Sequence, residues 1–365
     1  MRLLEVLYSF RIGGSELVGF DLAEQMSRRG VDVICAALEG PDGSLAERCK
    51  NLGIPVIDLR VPHTGFLRRN GLSLEVMKVL RSIRPDVIHM HHTVAMNKLA
   101  LAAWIARIPK IVMTEHSIRP IDTERLAQLR FRALLPVMSS VTVVDQSIHD
   151  WFSSVLKCPA NKLTVIPNGI DFDRWHRRDR AARRAALGIT DETVFAFSGR
   201  LERVKRVPEL ITTYLRATSS LENPSLLLVV GGGSEAAQCE AAAAQQSHRH
   251  RVKLVGEQQD VRPFLAAADV FLMNSSSEGI PRALLEAMSL SLLCVAPDVG
   301  GIGPLLRGRG WVVPPLNDIA LAAVLTAICT DATEGNAFGG AASAFVRDHF
   351  DINVVAAAYM NVFEK

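Results

Sequence analysis

The stretch that decides the fold is SSSEGIPRALLEAM, at residues 275–288. It follows VFLM at residues 270–273, an apolar run whose length and composition predict a buried strand. Pro281 fits the first position of a helix, where its missing N–H costs nothing, and the residues after it are strong helix formers. The stretch therefore predicts a strand, a serine-rich turn and then a helix.

The turn of this stretch has the features of an anion and hydroxyl site. The free N–H groups of the first helical turn, from about Gly279, point outward with the positive end of the helix dipole, and Gly279 lets a ligand approach the backbone closely. Two carboxylates, Glu278 and Glu286, flank the turn. In a continuous helix they would lie ~12 Å apart along the axis, beyond the roughly 5–9.5 Å of a glycosidase pair. On this spacing alone, two unrelated surface glutamates are favoured over two glutamates that contact one long ligand at separate places.

The composition predicts a soluble, cytoplasmic protein with two domains. The length of 365 residues suits two ordinary cores, and the net charge of +3 is too small to indicate nucleic-acid binding. The six cysteines are scattered without a Cys-x-x-Cys pair, which argues against a zinc site and fits a reducing cytosol. Arg2 and Glu5 interrupt the first apolar run, so no signal peptide is expected, and no apolar run approaches the ~18 residues of a membrane span.

Strand and helix patterns alternate along the chain and predict doubly wound, mostly parallel α/β sheets. The predicted strands of the first half are residues 3–8, 31–38, 54–59, 86–90, 110–114, 141–144 and 163–166. The pattern begins again with strands at 193–197, 225–230, 252–255 and 270–273. We expect one Rossmann-like domain at 1–172, onto which a C-terminal helix near 350–365 can pack, and a second at 173–349. Residues 173–187, polar and rich in arginine, predict a linker, and the glycine-rich residues 335–340 predict a turn.

Two loops that follow predicted strands carry groups suited to phosphate. In SGRLERVK, at residues 198–205, Arg200 supplies a planar fork and Lys205 a point charge, and both could grip a diphosphate. The alternative is a solvated basic turn. Gly13 and Gly14 follow the first strand and open a helix, where a phosphate or an acceptor oxygen is favoured, although many tight turns carry two glycines.

Histidines follow or occupy two predicted strands. His116 lies just past the strand at 110–114, where site residues of parallel sheets collect. His89 and His91 are two residues apart, which on a strand puts both on one face and suggests a metal site. No carboxylate or cysteine nearby in the sequence completes a ligand set, so metal binding is the less favoured interpretation.

These motifs together resemble the family-4 retaining glycosyltransferases, which have the GT-B fold of two Rossmann-like domains facing each other across a deep cleft. The similarity rests on Glu-x7-Glu in the opening stretch, Gly-Arg-Leu-x-x-x-Lys at residues 199–205, Thr-x-His at 114–116 and Pro-Asn-Gly-x-Asp at 167–171. It extends from Gly13 to about Pro315. The turn at 167–171 is interpreted as a domain-boundary marker.

The resemblance implies a role for each matching residue. His116, Arg200, Lys205 and Glu278 would be catalytic: His116 orients the sugar or the acceptor, Arg200 and Lys205 hold the leaving diphosphate, and Glu278 meets the donor sugar. Glu286 would meet the ribose. The other expected donor-binding residues are Gly13, Gly14, Gly231, Gly256, Gly279, Ile280, Pro281 and Leu285. His89 and His91 would line the acceptor side of the cleft.

The expected reaction is transfer of a sugar from a UDP- or GDP-linked donor to a glycan or lipid-linked acceptor, with retention and without a metal or other cofactor. One alternative is a nucleotide-sugar epimerase, which needs acid and base groups on both faces of the sugar, where only His116 is well placed. The other is a catalytically idle nucleotide-binding partner. Nucleic acid is not an expected partner, because the basic stripe with interleaved aromatics is missing.

A membrane contact is a further expectation. Residues 121–138 predict an amphipathic helix, and Arg119, Arg125, Arg130 and Arg132 could place its apolar side chains on an anionic membrane, which would fit a lipid-linked acceptor. The arginines between residues 174 and 184 are interpreted as a solvated helix face.

Three places along the chain depart from the family pattern. Ser291 stands where Gly usually ends the helix, beside Ser289 and Leu293, so the turn is expected to close differently. Gly303 and Pro304 stand where a glutamate is frequent, which predicts a missing donor contact. Arg206 follows Lys205 where Gly or Asn is common.

Overall fold

The computed structural model describes residues 1–61, 73–117, 125–175, 180–330 and 333–364, without the side chains of residues 333–337. The chain divides into two compact units. The first comprises Met1–Asp171 together with Asp351–Lys365, and the second comprises Phe172–Phe350.

The first unit contains a parallel sheet that has seven strands within the described residues, in the order β3-β2-β1-β4-β5-β6-β7. The strands are β1 (Arg2–Leu7), β2 (Asp32–Ala37), β3 (Val56–Asp58), β4 (Val87–His91), β5 (Lys110–Glu115), β6 (Ser140–Val143) and β7 (Leu163–Val165). The helices are α1 (Gly14–Arg28), α2 (Ser44–Asn51), α3 (Leu74–Ile83), α4 (His92–Ile105), α5 (Arg125–Leu134), α6 (Gln146–Ser154) and, from the end of the chain, α15 (Ile352–Glu364).

The second unit repeats this architecture with a sheet of six described strands, in the order β10-β9-β8-β11-β12-β13. The strands are β8 (Thr193–Ser198), β9 (Ser225–Val230), β10 (His250–Gly256), β11 (Val270–Leu272), β12 (Leu293–Pro297) and β13 (Trp311–Val313). The helices are α7 (Arg180–Ala186), α8 (Val207–Thr218), α9 (Ala236–Ala243), α10 (Arg262–Ala267), α11 (Arg282–Ser289), α12 (Ile302–Leu306), α13 (Asp318–Thr330) and α14 (Thr333–Phe350).

The prediction of two parallel α/β sheets is confirmed. Each predicted strand lies within two residues of an observed one. The physical reason is visible in β9, whose sequence SLLLVV is buried at every position, as expected for a parallel strand covered by helices on both faces. The C-terminal helix α15 packs on the first unit, where Ile352 donates its backbone N–H to the carbonyl of Ile170 at 2.8 Å.

One segment predicted as a turn is helical, and the predicted linker contains a helix. Residues 335–340 lie inside α14, so the predicted glycine-rich turn is wrong. Gly339 has a packing reason to be glycine, because a Cβ there would lie 2.3 Å from the carbonyl oxygen of Ser291. The predicted linker at 173–187 contains α7, and its solvated interpretation is wrong for Arg180 and Arg184, which both pair with Asp269. Arg177 and Arg178 lie outside the described residues.

Two departures from the family pattern occur at left-handed backbone positions. Ser291 has φ +58°, so the turn after α11 closes in the left-handed conformation without glycine, and the expectation of a different closure is wrong. Arg206 has φ +51°, which explains why Gly or Asn is common there. Its guanidinium is held by Asp318, with Nη2 3.1 Å from Oδ2.

Candidate active site

The second unit brings Lys205 and Glu278 into contact. A single 3-10 turn, Arg203–Lys205, follows β8, and Glu278 follows β11, the next strand in the sheet. The backbone N–H of Ser276 donates to the carbonyl of Val204 at 2.8 Å and fastens the two loops together. Nζ of Lys205 then lies 2.5 Å from Oε1 of Glu278, and only 20% and 10% of the two side chains are exposed. This is a partly buried ion pair at the carboxyl end of a parallel sheet, where ligands bind in such folds.

Arg200 lies on the same loop but does not join this pair. Its Nη1 is 2.7 Å from Oε1 of Glu202, and 68% of its side chain is exposed. A guanidinium that is paired only at the surface is inexpensive to redirect. The structure therefore leaves Arg200 able to turn toward an anion beside Lys205.

Gly231 and Gly233, in the loop after β9, allow the backbone on either side of Arg200 to approach that loop closely. A Cβ on Gly231 would lie 1.9 Å from the carbonyl oxygen of Gly199, and one on Gly233 would lie 2.5 Å from that of Leu201. Gly231 also donates its N–H to the carbonyl of Gly256 at 2.9 Å. These glycines thus determine how closely the neighbouring loops pack, a role that the glycine-rich pattern alone does not reveal.

The helix of the opening stretch begins one residue later than predicted. Pro281 is the N-cap, and α11 starts at Arg282. Glu286 is buried, and its Oε1 accepts from Nε of Arg282 at 2.8 Å. Glu286 is therefore not the solvated surface glutamate that spacing alone favoured. Leu285 is fully buried.

The backbone of Glu278 and Gly279 is supported by the loop after β12. Gly301 donates its N–H to the carbonyl of Gly279 at 3.1 Å, and a Cβ on Gly300 would lie 1.9 Å from the carbonyl oxygen of Glu278. Ile280 contacts the same loop, because a Cβ on Gly301 would lie 2.7 Å from its side chain. The glycines at 300 and 301 therefore fix the position of the loop that carries Glu278.

The first unit gathers its histidines around a buried carboxylate that sequence reasoning missed. Glu5, in the middle of β1, is paired in register with His89 of the neighbouring β4. Its Oε2 lies 3.1 Å from Nδ1 of His89, and its Oε1 lies 2.6 Å from Nε2 of His91. All three side chains are buried. The expectation that no carboxylate lies near these histidines is wrong, because the adjacent parallel strand supplies one from 84 positions away.

His116 extends this cluster toward the surface. Its Nε2 lies 2.9 Å from Nδ1 of His91, and its Nδ1 lies 3.2 Å from Oδ1 of Asn168. Glu115 holds the backbone at this point, since its Oε1 accepts from the backbone N–H of His116 at 2.9 Å. Asn168 is therefore part of the histidine cluster and not merely a turn residue at a domain boundary.

His89 leads away from His116. Its Nε2 lies 2.7 Å from Oγ1 of Thr114, which is 3.0 Å from the hydroxyl of Tyr359 in α15. Because His89 and His91 are 0% and 1% exposed, the expectation that they line the acceptor side is wrong for their side chains. They lie beneath His116, and of these three histidines only His116 is partly exposed.

Burial and hydrogen bonding set the charges of this cluster. Burial alone would raise the pKa of Glu5, but the imidazoles of His89 and His91 outweigh it and lower the pKa to about 2. Burial lowers the pKa of His91 and holds that of His116 well below its usual value. For Glu115, hydrogen bonds from His92 and Thr93 overcome the effect of burial and lower the pKa. The cluster at neutral pH thus holds two carboxylates, with His91 and His116 neutral.

The atoms of Glu5, His89 and His91 also lie within 4.8 Å of one another, close enough to consider a metal ion. Two ligands of a tetrahedral zinc at about 2.0–2.1 Å would be about 3.3 Å apart. The separations of 2.6 and 3.0 Å between the Glu5 carboxylate and the two imidazoles are hydrogen-bond distances instead. The geometry therefore fits shared protons better than a bound metal.

The Gly13–Gly14 loop opens α1, with Gly13 as N-cap. The carboxylate of Glu16 folds back over it, since a Cβ on Gly13 would lie 2.3 Å from its Oε2. A carboxylate in this place repels a phosphate and can accept from a hydroxyl, so the loop is better suited to a saccharide hydroxyl.

Comparison with known proteins identifies the family. The model described as Glycosyltransferase Family 4 matches residues 12–174, and the one described as Glycosyl transferases group 1 matches residues 179–344. The chain belongs to the family 4 glycosyltransferases. It is therefore an enzyme, a glycosyltransferase.

Curated relatives are similar to this glycosyltransferase along much of its length. A phosphatidyl-myo-inositol mannosyltransferase of Mycobacterium leprae is 27% identical over 374 aligned residues, covering 98% of this chain and 94% of the relative. A glycosyltransferase named for teichuronic acid biosynthesis in Bacillus subtilis is 28% identical over 258 residues, covering 69% of this chain and 63% of the relative.

A solved structure shares the fold of this glycosyltransferase. HepE from Anabaena, crystallised with UDP, matches with a TM-score of 0.82 at 22% identity, and the match covers 100% of both chains. The two parallel-sheet domains are those of the GT-B fold. Within the part of the chain that the structure describes, none of the helices combines the length and apolarity needed to cross a bilayer.

Glu5 and Asn168 are the site residues that sequence reasoning missed. Glu5 had a detectable signal, because a lone carboxylate inside the apolar run LLEVL must find partners when the strand is buried. Nothing in the sequence indicated that those partners would be histidines of another strand. Asn168 had no distinct signal, since Asn-Gly occurs in turns of any protein.

Proposed function

We propose that this glycosyltransferase moves a sugar from a nucleoside-diphosphate sugar to a glycan or lipid-linked acceptor, with retention at the anomeric carbon and without a metal ion. The observation that supports this best is the ion pair of Lys205 and Glu278. It presents an ammonium group and a carboxylate side by side, which are the two groups that a diphosphate and an adjoining sugar hydroxyl require.

When the donor binds, Lys205 and Glu278 would each exchange the other for a group of the donor. The diphosphate takes Nζ of Lys205, and a hydroxyl of the sugar donates to the Glu278 carboxylate. Each charge exchanges one partner for another, so neither is left buried and unpaired. Because the two loops are already fastened to each other, little reorganisation is needed when charge develops.

The chemical step then needs no protein nucleophile. The bond from the anomeric carbon to the diphosphate oxygen breaks, and the acceptor oxygen bonds to the same face of that carbon. The acceptor's proton passes to the leaving phosphate. Lys205 and Arg200 stabilise the negative charge that develops on the diphosphate, and Glu286 contacts the ribose. The half-buried His116 of the first unit orients a saccharide hydroxyl.

The experiment begins by identifying the nucleotide. UDP, GDP and ADP are compared by thermal shift, because a ligand that binds only the folded state raises its Tm. The matching nucleotide sugar is then incubated with and without saccharide acceptors, after treatment with EDTA. We expect nucleoside diphosphate release that depends on the acceptor, with α-configured product from an α-configured donor. Epimer formed from the donor alone, or turnover lost with EDTA and restored by a divalent ion, would contradict the proposal.

A membrane-bound acceptor is supported by the outer face of α5. Leu126 and Leu129 are 60% and 59% exposed, and Arg125 and Arg130 beside them are exposed as well. Arg119 lies outside the described residues. Exposed leucines flanked by arginines suit the headgroup region of an anionic bilayer. The names of two relatives, the mannosyltransferase already described and an Escherichia coli galactosyltransferase acting on a diphosphoundecaprenol, also point to lipid acceptors.

Flotation tests this contact directly. The protein should float with vesicles that contain phosphatidylglycerol and stay behind with pure phosphatidylcholine. The double variant Leu126→Ser, Leu129→Ser should lose the binding. Leu74→Ser is the matched control, because Leu74 is 72% exposed on α3 and its exposed neighbour in the sequence is the acidic Glu75. Equal flotation of both variants, or none of the wild type, would exclude the proposed surface.

A further inference from the structure

We propose that Glu5 is a positioning residue that acts through His91 to hold His116 as its Nε2–H tautomer. The Nδ1 atom of His116 is then a hydrogen-bond acceptor for a hydroxyl of the bound sugar or acceptor. The substrate part of this inference rests on the proposed function, whereas the tautomer does not.

The geometry forms a single line of hydrogen-bonding groups. Glu5 Oε1 lies 2.6 Å from His91 Nε2, His91 Nδ1 lies 2.9 Å from His116 Nε2, and His116 Nδ1 lies 3.2 Å from the Asn168 side chain. The line begins at a fully buried carboxylate in β1 and ends at a partly exposed ring just beyond β5. The longest separation is the one at its outer end.

The charges determine the direction of every hydrogen bond in this line. A carboxylate can only accept, so a neutral His91 must carry its proton on Nε2 and leave Nδ1 bare. Bare Nδ1 requires a donor, so His116 carries its proton on Nε2 and its own Nδ1 is bare. The Asn168 amide must then present Nδ2 to this atom, which a 180° rotation of the amide provides in the same space.

The opposite direction cannot be satisfied with these charges. If His116 donated from Nδ1 to Oδ1 of Asn168, its bare Nε2 would need a proton from Nδ1 of His91. A neutral His91 would then turn a bare Nε2 toward the Glu5 carboxylate at 2.6 Å, so two acceptors would face each other without a proton.

A saccharide hydroxyl can replace the Asn168 amide at the outer end. It donates to Nδ1 as Nδ2 of the amide does, so the rest of the line is unchanged. Glu5 never touches the substrate, and its effect reaches the hydroxyl only through the proton positions of two rings. A residue at this position that merely filled the core would be apolar, because burying a carboxylate is costly.

The first test is spectroscopic and needs no turnover. The full chain labelled with 15N-histidine is examined by long-range 1H–15N correlation, and His116 is assigned from the spectrum of His116→Gln. We expect the protonated nitrogen of His116 to be Nε2 in the wild type. A proton on Nδ1 would overturn the proposal, as would zinc bound stoichiometrically to the purified protein, because the metal would then join Glu5 to the histidines.

The second test compares Glu5→Gln with Tyr359→Phe. Both replace a buried polar side chain, but Tyr359 lies on the other branch of the network, through Thr114 and His89. Glu5→Gln should give a mixture of His116 tautomers and lower kcat about 10- to 100-fold, the loss expected for a hydrogen bond to a charged group, with the donor KM within about threefold. Tyr359→Phe should retain the tautomer and the rate. Retained tautomer and rate in Glu5→Gln would refute the role of Glu5, whereas a wild type without transferase activity but with the expected tautomer would refute only the proposed function.

Discussion

Nζ of Lys205 lies 2.5 Å from Oε1 of Glu278, although 73 positions separate the two residues in the chain. The contact exists because β8 and β11 are neighbours in the sheet while they are distant in the sequence. Two predicted site residues, each ambiguous alone, therefore meet at the same edge of one sheet.

Removing the Lys205 ammonium should slow transfer more than it destabilises the fold. We expect Lys205→Ala to lower kcat about 10²–10³-fold, the cost of losing one preorganised group that stabilises transition-state charge, with Lys205→Arg intermediate. Arg203→Ala is the matched control: it lies in the same turn, its side chain is 75% exposed, and it should change kcat less than about threefold. Steady-state kinetics decide, and equal effects of both variants would contradict a specific role for Lys205.

The approach of two loops in the second unit depends on glycine at position 231. We expect Gly231→Ala to cost more than about 2 kcal/mol of unfolding free energy, because its Cβ would collide with the carbonyl of Gly199 and its φ is +146°. Gly256→Ala has φ +78° with open space around the Cβ position, so it should cost only about 1 kcal/mol. Urea unfolding of the two variants checks the order. Because Gly231 supports the loop that carries Arg200, its variant should also lose nucleotide affinity in the thermal-shift assay.

The turn after α11 can be stabilised by restoring the family's glycine. Ser291 has φ +58°, which costs a residue with a Cβ about 1–2 kcal/mol. We expect Ser291→Gly to raise the unfolding free energy by about 1 kcal/mol. Part of this gain is offset, because glycine gives the unfolded chain more conformational entropy. Ser289→Gly, at the last residue of α11, should instead lower it by about 0.5–1.5 kcal/mol, because it removes the hydrogen bond that the Ser289 hydroxyl donates to the carbonyl of Glu286 at 2.8 Å. A destabilised Ser291→Gly would show that the serine has a favourable contact that outweighs the strain.

Local patterns predicted both parallel sheets, apart from strands β12 and β13, and only part of the site. Strands such as β9 are apolar throughout, so their identity does not depend on their partners. The Glu5–His91 contact, by contrast, depends on which strands become neighbours. The strand order β2-β1-β4 cannot be predicted from any local segment of the sequence. The helix at 333–350 was missed for a related reason: its glycines usually mark turns, but here one of them allows the close approach to Ser291.

The histidine cluster should make stability depend on pH in two stages. His91 and His116 have pKa values below the usual 6.5 when folded, so as the pH falls below about 6.5 the unfolded chain takes up protons first and stability declines. Each such histidine contributes up to about 1.4 kcal/mol per pH unit. Glu5 acts in the same direction at lower pH: its pKa is about 2 when folded against 4.5 in its ordinary state, so its contribution is complete above pH 4.5 and is lost as the pH falls toward 2. Urea unfolding between pH 7.5 and 3, read from a signal of the first unit, measures both stages.

His116→Gln should flatten the first stage, whereas His149→Gln, which changes a histidine of α6 outside the cluster, should leave it in place. An equally steep first stage in His116→Gln would show that the buried histidines do not cause it.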